Sequence, residues 1–327
     1  MRAVLCKAFG PPESLVLEEV DDPVAGNGQV VIDVHACAVN FPDVLVIQDM
    51  YQFKPPLPFS PGAEVAGLVS AVGPGVDNFA VGDRVLGSPG WGGLAEKVAV
   101  NAEQVVPVPD GIDLLHASSF MYAYGTSQYA LKDRGHLKPG ETLVVLGAAG
   151  GVGLAAVELG AAMGANVIAA ASTDDKLELC REYGAAMTIN YATEDLKTRI
   201  RELTGGVGAD VVYDAVGGPY SEPALRSMAW EGRFLVIGFA SGEIPKIPLN
   251  LALLKSCDIV GVFWGAFVGR ERARHRENVA ELMRWWTEGK LRPHVSSTYP
   301  LERAGEAIRE LADRKAKGKV VVTVVED

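Results

Sequence analysis

The 327-residue chain is long enough for two domains and for a core that needs no disulfides or structural metals. Hydrophobic residues make up 48% and charged residues 22%, which excludes a disordered or fibrous protein. The net charge of −11 argues against non-specific nucleic-acid binding and against a polybasic membrane anchor.

The four cysteines, Cys6, Cys37, Cys180 and Cys257, are widely separated and form no C-x-x-C pair. This spacing predicts reduced thiols and a cytoplasmic location. The amino-terminal residues contain no long apolar segment, so no signal peptide is expected. The most apolar stretch, Leu143–Val157, is too short to span a bilayer.

The first 110 residues predict a β-rich region, because short apolar runs are bounded by glycine, proline, asparagine and aspartate. A short helix is predicted near Phe41–Gln48. The predicted strands lie within Gly28–Val39, Glu64–Val72, Asp83–Leu86 and Ala95–Val100.

Beyond Asp113 the pattern predicts a helix over Leu114–Leu131, and then apolar strands that alternate with helices. Such alternation is typical of a doubly wound parallel sheet. The predicted strands are Thr142–Leu146, Asn166–Ala171, Met187–Ile189, Ala209–Tyr213, Arg233–Ile237 and Asp258–Phe263. The clearest helices are Gly151–Met163, Asp175–Tyr183 and Glu194–Leu203. A long charged helix, Arg270–Glu288, a helix from Leu301 and a last strand, Lys319–Val325, follow.

A glycine-rich turn separates the strand that ends at Leu146 from the next helix. The dinucleotide pattern has three glycine positions, and here they hold Ala148, Gly150 and Gly153. Glycine lets backbone N–H groups approach a pyrophosphate, and the helix N-terminus adds the positive end of its dipole. We therefore expect a dinucleotide site, although tight packing of the helix on the strand would also require glycines. Its predicted backbone contacts are Ala149, Gly150, Gly151 and Val152.

The end of the following strand indicates which dinucleotide binds. NAD sites usually place a carboxylate there for the ribose 2′-hydroxyl, but this strand ends with Ala171, Ser172 and Thr173. Ser172 and Lys176 are suitably placed for a 2′-phosphate. The alternative is that Lys176 is simply a solvent-exposed lysine on a helix. The missing carboxylate favours NADPH.

Three motifs together resemble the medium-chain dehydrogenase/reductase superfamily: Pro61–Gly67, Val81–Val85 and Ala148–Gly153. The resemblance runs through the whole chain and implies an α/β protein of two domains. It implies a β-rich GroES-like catalytic domain of residues 1–121 and 266–327, and a Rossmann NADPH-binding domain of residues 122–265. A substrate cleft is expected between them.

The alcohol dehydrogenases of this superfamily bind a catalytic zinc through three residues. Matched motif by motif, the ligand positions fall on Asn40, on Ala63 and near Tyr122. None of these side chains replaces a thiolate or imidazole at a tetrahedral zinc site, so we expect no metal.

The zinc-free branch with asparagine at this position is similar to the quinone oxidoreductases, or zeta-crystallin-like proteins. The branch often has two tyrosines near the substrate, and their positions here hold Leu45 and Tyr51. The strand Asp258–Phe263 resembles the one that pairs across the family's dimer, which implies a homodimer. The cofactor contacts that the resemblance implies, with the aromatic wall of the pocket, are Asn40, Thr126, Lys176, Tyr191, Phe239, Phe263, Trp264 and Lys319.

Without a metal, hydride transfer suits acceptors that delocalise the resulting charge, such as quinones and conjugated enones. Asn40 is a candidate donor to the nicotinamide or the substrate oxygen, or else a turn-forming asparagine. Tyr51 is a candidate proton donor, or an aromatic wall of the site. The sequence thus predicts an NADPH-dependent, metal-free reductase of quinones or related conjugated carbonyls. The alternatives are a reductase of enals, enones or enoyl thioesters, a catalytically inert cofactor-binding structural protein, and a zinc alcohol dehydrogenase.

Overall fold

The computed structural model describes residues 1–325. Its internal contacts divide the chain into two units. The first contains Met1–Tyr122 and Pro293–Asp327, and the second contains Ala123–Arg292. The first is β-rich and the second is built on a parallel sheet, which confirms the predicted α/β fold class. In the part of the chain that the structure describes, no helix combines the length and apolar character needed to cross a membrane.

The secondary structure follows the predicted alternation closely. In chain order the strands are β1 (Arg2–Leu5), β2 (Val16–Glu19), β3 (Gln29–Val39), β4 (Glu64–Val72), β5 (Arg84–Gly87), β6 (Lys97–Asn101), β7 (Val105–Pro107), β8 (Thr142–Leu146), β9 (Asn166–Ala171), β10 (Met187–Asn190), β11 (Ala209–Asp214), β12 (Met228–Val236), β13 (Asp258–Gly261), β14 (Val295–Pro300) and β15 (Lys319–Thr323). The helices are α1 (Phe41–Val46), α2 (Leu114–Ala117), α3 (Thr126–Gln128), α4 (Gly151–Ala162), α5 (Asp174–Glu182), α6 (Leu196–Leu203), α7 (Ser221–Arg226), α8 (Asn250–Lys255), α9 (Trp264–Arg270), α10 (Arg272–Thr287) and α11 (Ala304–Ala312).

The first unit centres on a sheet with the order β14-β15-β3-β4-β5-β7, in which β6 also pairs with β3. The long strand β3 is apolar and largely buried, because it lies in the middle of this sheet. Pairing of Val39 with Val320 and of Ala38 with Glu64 fixes the register of its two neighbours. The end of β3 therefore lies between the beginnings of β4 and β15.

The second unit contains a six-stranded sheet with the order β10-β9-β8-β11-β12-β13, and every pair is parallel. The central strand β8 has no accessible surface from Leu143 to Leu146, as expected for a sheet covered on both faces. The chain continues from β8 to β9 on one side, and β11 lies on the other side. Ligands bind at such a change of direction, beyond the carboxyl ends of the strands.

Two predicted elements differ from those observed. The predicted strand Asp258–Phe263 ends at Gly261, because the amide of Phe267 bonds to the carbonyl of Phe263 and a helix begins at Trp264. The predicted helix Leu114–Leu131 is interrupted, since α2 ends at Ala117 and π-helical turns cover Met121–Gly125 and Tyr129–Arg134. Single π-turns of this kind often occur near functional sites.

The second domain boundary also differs from the expected one, since residues 266–292 pack within the second unit and not the first. The rings of Tyr129 and Phe267 stack with their centroids 4.0 Å apart. Lys132 Nζ lies 2.6 Å from Glu281 Oε2. A period of charged and apolar residues predicts a helix, but it does not reveal which domain that helix packs against.

The turn between β8 and α4 requires glycine for two reasons. Gly147 has a φ of +69°, which disfavours other residues. A Cβ on Gly153 would lie 2.1 Å from the carbonyl oxygen of Gly147. The first turn of α4 thus packs directly on the turn that precedes it. The side chain of residue 153 is excluded by backbone atoms, which cannot move aside as a flexible side chain would.

We predict that Gly153→Ala lowers the free energy of unfolding by about 3 kcal/mol or more, because the added methyl group collides with backbone. Gly269→Ala is the matched control, since a Cβ on this glycine of α9 meets no atom within 4 Å. The control should be neutral or stabilising by up to about 1 kcal/mol. Chemical denaturation of both variants checks this, and equal stabilities would contradict the close approach.

Candidate functional site

Four polar side chains of the first unit are buried together where β3 ends and β4 and β15 begin. Asn40, Asp43, Glu64 and Lys319 expose 7%, 2%, 0% and 6% of their surface. Asn40 follows β3, and Glu64 and Lys319 are the first residues of the strands on either side of it. The structure therefore brings the predicted residues Asn40 and Lys319 together, and it adds two carboxylates that the sequence analysis did not single out.

The side chains of Asn40, Glu64 and Lys319 bond to one another. Lys319 Nζ donates to Asn40 Oδ1 at 2.6 Å and to Glu64 Oε2 at 3.2 Å. Asn40 Nδ2 donates to Glu64 Oε2 at 3.2 Å and to the carbonyl of Ala38 at 3.3 Å. The other carboxylate oxygen, Glu64 Oε1, accepts the backbone N–H of Tyr122 at 2.9 Å. Both hydrogens of the Asn40 amide are thus engaged within the protein, and donation to a ligand requires one of these bonds to be exchanged.

Asp43 holds the backbone on either side of this cluster. Its Oδ2 accepts the N–H of Asn40 at 2.7 Å, and its Oδ1 accepts the N–H of Gly62 at 3.0 Å. Burial raises the pKa of Asp43 to about 6, against the opposing effect of these two N–H groups. The carboxylate therefore ties the turn after β3 to the segment before β4, and it helps to fix the backbone of Asn40.

Tyr51, the other predicted catalytic residue, is partly buried against the core of the first unit. Its ring centroid lies 6.0 Å from that of Phe53, with the planes inclined by 54°. Burial raises the pKa of its phenol, and the negative charge of Asp43 raises it further. The phenol is therefore a weaker acid than an exposed tyrosine, and near neutral pH its hydroxyl is a neutral hydrogen-bond donor.

The turn after β8 fits the pyrophosphate of a dinucleotide. Gly150 N donates to the carbonyl of Gly147 at 3.0 Å, and Leu154 N donates to that of Gly150 at 2.8 Å, so the loop closes directly into α4. The N–H groups of Gly151 and Val152 belong to the first turn of α4, where no preceding helical turn supplies an acceptor. Gly150, Gly151 and Gly153 have no Cβ, so the backbone of this turn is open to close approach by an anion such as a pyrophosphate.

The residues predicted to bind the 2′-phosphate lie at the end of β9 and the start of α5. Ser172 follows the strand, and Lys176 lies in the first turn of α5. The nearest carboxylate, Asp174, accepts a hydrogen bond from Asn190 Nδ2 at 2.8 Å. This bond holds it toward the end of β10. Tyr191 also belongs to this edge of the sheet, since its N–H donates to the carbonyl of Ala171 at 3.1 Å.

Three more predicted residues of the second unit lie on neighbouring segments. Trp264 is buried, and a Cβ on Gly125 would lie 2.8 Å from its indole ring, so Trp264 packs on the backbone just before Thr126. Phe263, beside Trp264, is 47% exposed. Phe239 packs on a different loop, where a Cβ on Gly217 would lie 2.8 Å from its ring.

The loop that carries Gly217 depends on Asp214, a residue that the sequence analysis missed. Asp214 Oδ1 accepts the N–H groups of Val216 and Gly217, each at 2.9 Å, and its Oδ2 accepts the hydroxyl of Ser221 at 2.5 Å. Asp214 is the last residue of β11 and is buried. A carboxylate that directly follows the buried run Val211–Tyr213 was the signal that identifies it.

The three positions matched to zinc ligands hold the buried asparagine Asn40, the buried alanine Ala63 and Tyr122. Across residues 1–325, no group of three or more histidine, cysteine, aspartate or glutamate side chains is placed to hold a metal ion.

Comparison with known proteins agrees with this architecture. Residues 26–110 match the family described as the alcohol dehydrogenase GroES-like domain, and residues 151–287 match the zinc-binding dehydrogenase family. The quinone oxidoreductase-like protein 2 homolog of Nematostella vectensis is 41% identical over 325 residues, which cover 98% of this chain and 88% of the relative.

Two solved structures are also similar over nearly the whole chain. A mycobacterial protein in complex with NADPH is 32% identical with a TM-score of 0.93, over 99% of this chain and 100% of that one. The quinone oxidoreductase of Escherichia coli in complex with NADPH is 29% identical with a TM-score of 0.93, over the same shares of the two chains. The chain belongs to the medium-chain dehydrogenase/reductase superfamily, in its quinone oxidoreductase branch.

Proposed function

We propose that this protein is an NADPH-dependent oxidoreductase that transfers hydride, without a metal, to quinones or related conjugated carbonyl compounds. The observation that carries the proposal is the edge of the second sheet, where a phosphate-binding turn stands beside a strand that ends without a carboxylate. The quinone oxidoreductase names of the relatives and the NADPH in the similar structures support it.

Each predicted cofactor contact has a place in this proposal. The amides of the turn bind the pyrophosphate, the end of β9 and the start of α5 bind the 2′-phosphate, and aromatic side chains line the nicotinamide site. The residues proposed to hold NADPH are Asn40, Thr126, Ala149, Gly150, Gly151, Val152, Ser172, Lys176, Tyr191, Phe239, Phe263, Trp264 and Lys319.

NADPH supplies a hydride when it is bound, and the chemistry left to the protein is to stabilise the charge that appears on the acceptor. A quinone or enone spreads that charge over a conjugated system, so hydrogen bonds are enough and a Lewis acid is not required. Tyr51, whose phenol stays protonated, and the buried cluster around Asn40 are the polar groups that we propose for this task.

Reduction of an enal, enone or enoyl thioester is the second candidate function, and the observation that favours it is the phenol of Tyr51, a candidate proton donor that is partly buried against the core of the first unit. An enolate needs a proton on carbon, which calls for a positioned acid. The phenolate product of a quinone can take its proton from water. The two candidates therefore differ in how strongly they depend on the Tyr51 hydroxyl.

We also propose a cytoplasmic homodimer. All four cysteines are free and buried, which suits a reducing compartment, and fractionation of the source cells would check the location. Within the described residues, β13 pairs with β12 alone and is an edge strand. Ile259 on β13 and Leu253 on α8 expose 41% and 77% of their surface, and an exposed apolar edge of this kind favours pairing with a second copy.

For the cofactor, Lys176→Ala should raise the KM for NADPH by about 10- to 100-fold, because a charged contact with phosphate is worth about 1.5–3 kcal/mol. The KM for NADH should change less than twofold. Lys138→Ala is the control, since this exposed lysine precedes β8 at the opposite edge of the sheet. Steady-state kinetics with both cofactors checks the expectation, and equal use of NADPH and NADH by the unaltered protein would contradict it.

For the acceptor, purified protein should consume NADPH with a quinone panel, and strong chelation should leave turnover unchanged. Tyr51→Phe keeps the ring and removes the hydroxyl. It should lower kcat for enones by about 100-fold and change kcat for quinones much less. Equal, negligible effects on both panels remove Tyr51 from the reaction. NADPH binding without turnover of either panel would favour the inert cofactor-binding protein.

For the assembly, sedimentation velocity should give the mass of two chains for the unaltered protein. The double variant Ile259→Lys with Leu253→Lys should shift it to one chain, because charges on an edge prevent strand pairing. Val207→Lys, at a valine of the second unit that is 70% exposed, should leave the mass unchanged. A single-chain mass for the unaltered protein would refute the homodimer.

A further inference from the structure

The carboxylate of Glu64 is fully buried, and both of its oxygens accept hydrogen bonds. Oε2 accepts from Asn40 Nδ2 and from Lys319 Nζ, and Oε1 accepts from the backbone of Tyr122. A glutamine in its place would turn an NH₂ group, itself a donor, toward one of these donors. Only a carboxylate has two oxygens that can both accept. The residue type is thus dictated by the donors around it.

Glu64 also determines how the amide of Asn40 is oriented. Because the Nδ2 hydrogens of Asn40 point to Glu64 and to the carbonyl of Ala38, its Oδ1 faces the ammonium of Lys319. Rotating the amide by half a turn would place an NH₂ group against that ammonium and an oxygen against the carboxylate. Glu64 and Asn40 together therefore hold Lys319 from two directions.

The backbone before Lys319 is equally constrained. Gly318 has a φ of +103°, and a Cβ on it would lie 2.6 Å from the ring of His294. The N–H of Lys319 donates to the carbonyl of His294 at 2.9 Å. The backbone of Lys319 is thus fixed by this hydrogen bond, and its ammonium is fixed by the acceptors Asn40 and Glu64. Together these contacts determine the direction in which the ammonium points.

An ammonium has three N–H groups. Within the described residues, those of Lys319 donate to Asn40 and Glu64, which leaves one for a ligand. The amide of Asn40 has no hydrogen left to offer in this arrangement. The buried cluster therefore presents a ligand with one charged donor, and that donor belongs to Lys319.

We propose that Glu64 is a positioning residue, which acts with Asn40 to aim the third N–H of Lys319 at an anionic oxygen of a bound ligand. This inference rests on the proposed function, because the oxygen is either a phosphate oxygen of NADPH or the oxygen of the carbonyl that accepts the hydride. In this arrangement Asn40 contributes to NADPH binding through Lys319, because both hydrogens of its own amide are engaged within the protein.

A double-mutant cycle between Glu64→Gln and Lys319→Met tests the proposal. The dissociation constant for NADPH is measured without acceptor by fluorescence titration, and kcat and KM are measured with a quinone. Glu64→Gln alone should weaken NADPH binding or lower kcat by about 10- to 100-fold, the worth of a hydrogen bond to a charged group. In the Lys319→Met background the same change should have little further effect, since the group it positions is gone.

Weakened NADPH binding assigns the oxygen to the cofactor, and a lower kcat with unchanged NADPH binding assigns it to the acceptor. An effect of Glu64→Gln below fivefold on both quantities overturns the proposal. An effect of the same size in both backgrounds also overturns it, because a merely structural carboxylate behaves that way. If the unaltered protein reduces no acceptor, the proposed function fails, and the NADPH cycle alone decides this inference.

Two further variants keep the result interpretable. Asn40→Ala removes a neutral side chain and forms a second cycle with Lys319→Met, with the same expectation, should Glu64→Gln fail to fold. Glu96→Gln is the matched control, because Glu96 also accepts with both oxygens within the first unit, from the backbone and side chain of Arg2. It should change the NADPH dissociation constant and kcat by less than twofold.

Discussion

A carboxylate without solvent is costly unless donors surround it, and in the first unit this constraint falls on Glu64. Its donors come from the turn after β3, from the segment that ends at Tyr122 and from the start of β15. Lys319 lies 255 residues away from Glu64 in the sequence. Glu64 therefore gains its charged hydrogen-bond donor only when β15 joins the first unit. The same contact that stabilises the fold aims the one charged donor of the cluster.

The second unit is organised by a different constraint, the close approach of backbone to backbone at the start of α4. Gly153 packs on the carbonyl of Gly147, which leaves the first N–H groups of α4 at the carboxyl edge of the sheet. Asp214 closes the neighbouring loop by accepting two backbone N–H groups. Contacts within the protein thus fix the turns at the ends of β8 and β11, and the first of these is the turn that we propose for the pyrophosphate.

Two of the three positions matched to zinc ligands take part in this buried cluster. The first of them, Asn40, accepts a hydrogen bond from an ammonium, and the third, Tyr122, is bonded through its backbone to the carboxylate that pairs with that ammonium. The ion pair between Lys319 and Glu64 is therefore hydrogen-bonded to both of these positions. An ammonium polarises an oxygen less strongly than a zinc ion does, which suits acceptors that delocalise charge themselves.

The sequence by itself determined the features that depend on local chain chemistry. The glycine turn, the apolar strands of the parallel sheet and the missing carboxylate after Ala171 each lie within a short segment, where backbone sterics and hydrophobic pattern dictate the outcome. Tertiary structure alone decided that residues 266–292 pack within the second unit, that a helix begins at Trp264, and that Glu64 joins Asn40 to Lys319. These outcomes depend on contacts between distant segments. The sequence does not distinguish Glu64 from an exposed glutamate, because its hydrogen-bond donors come from segments that only the folded chain brings together.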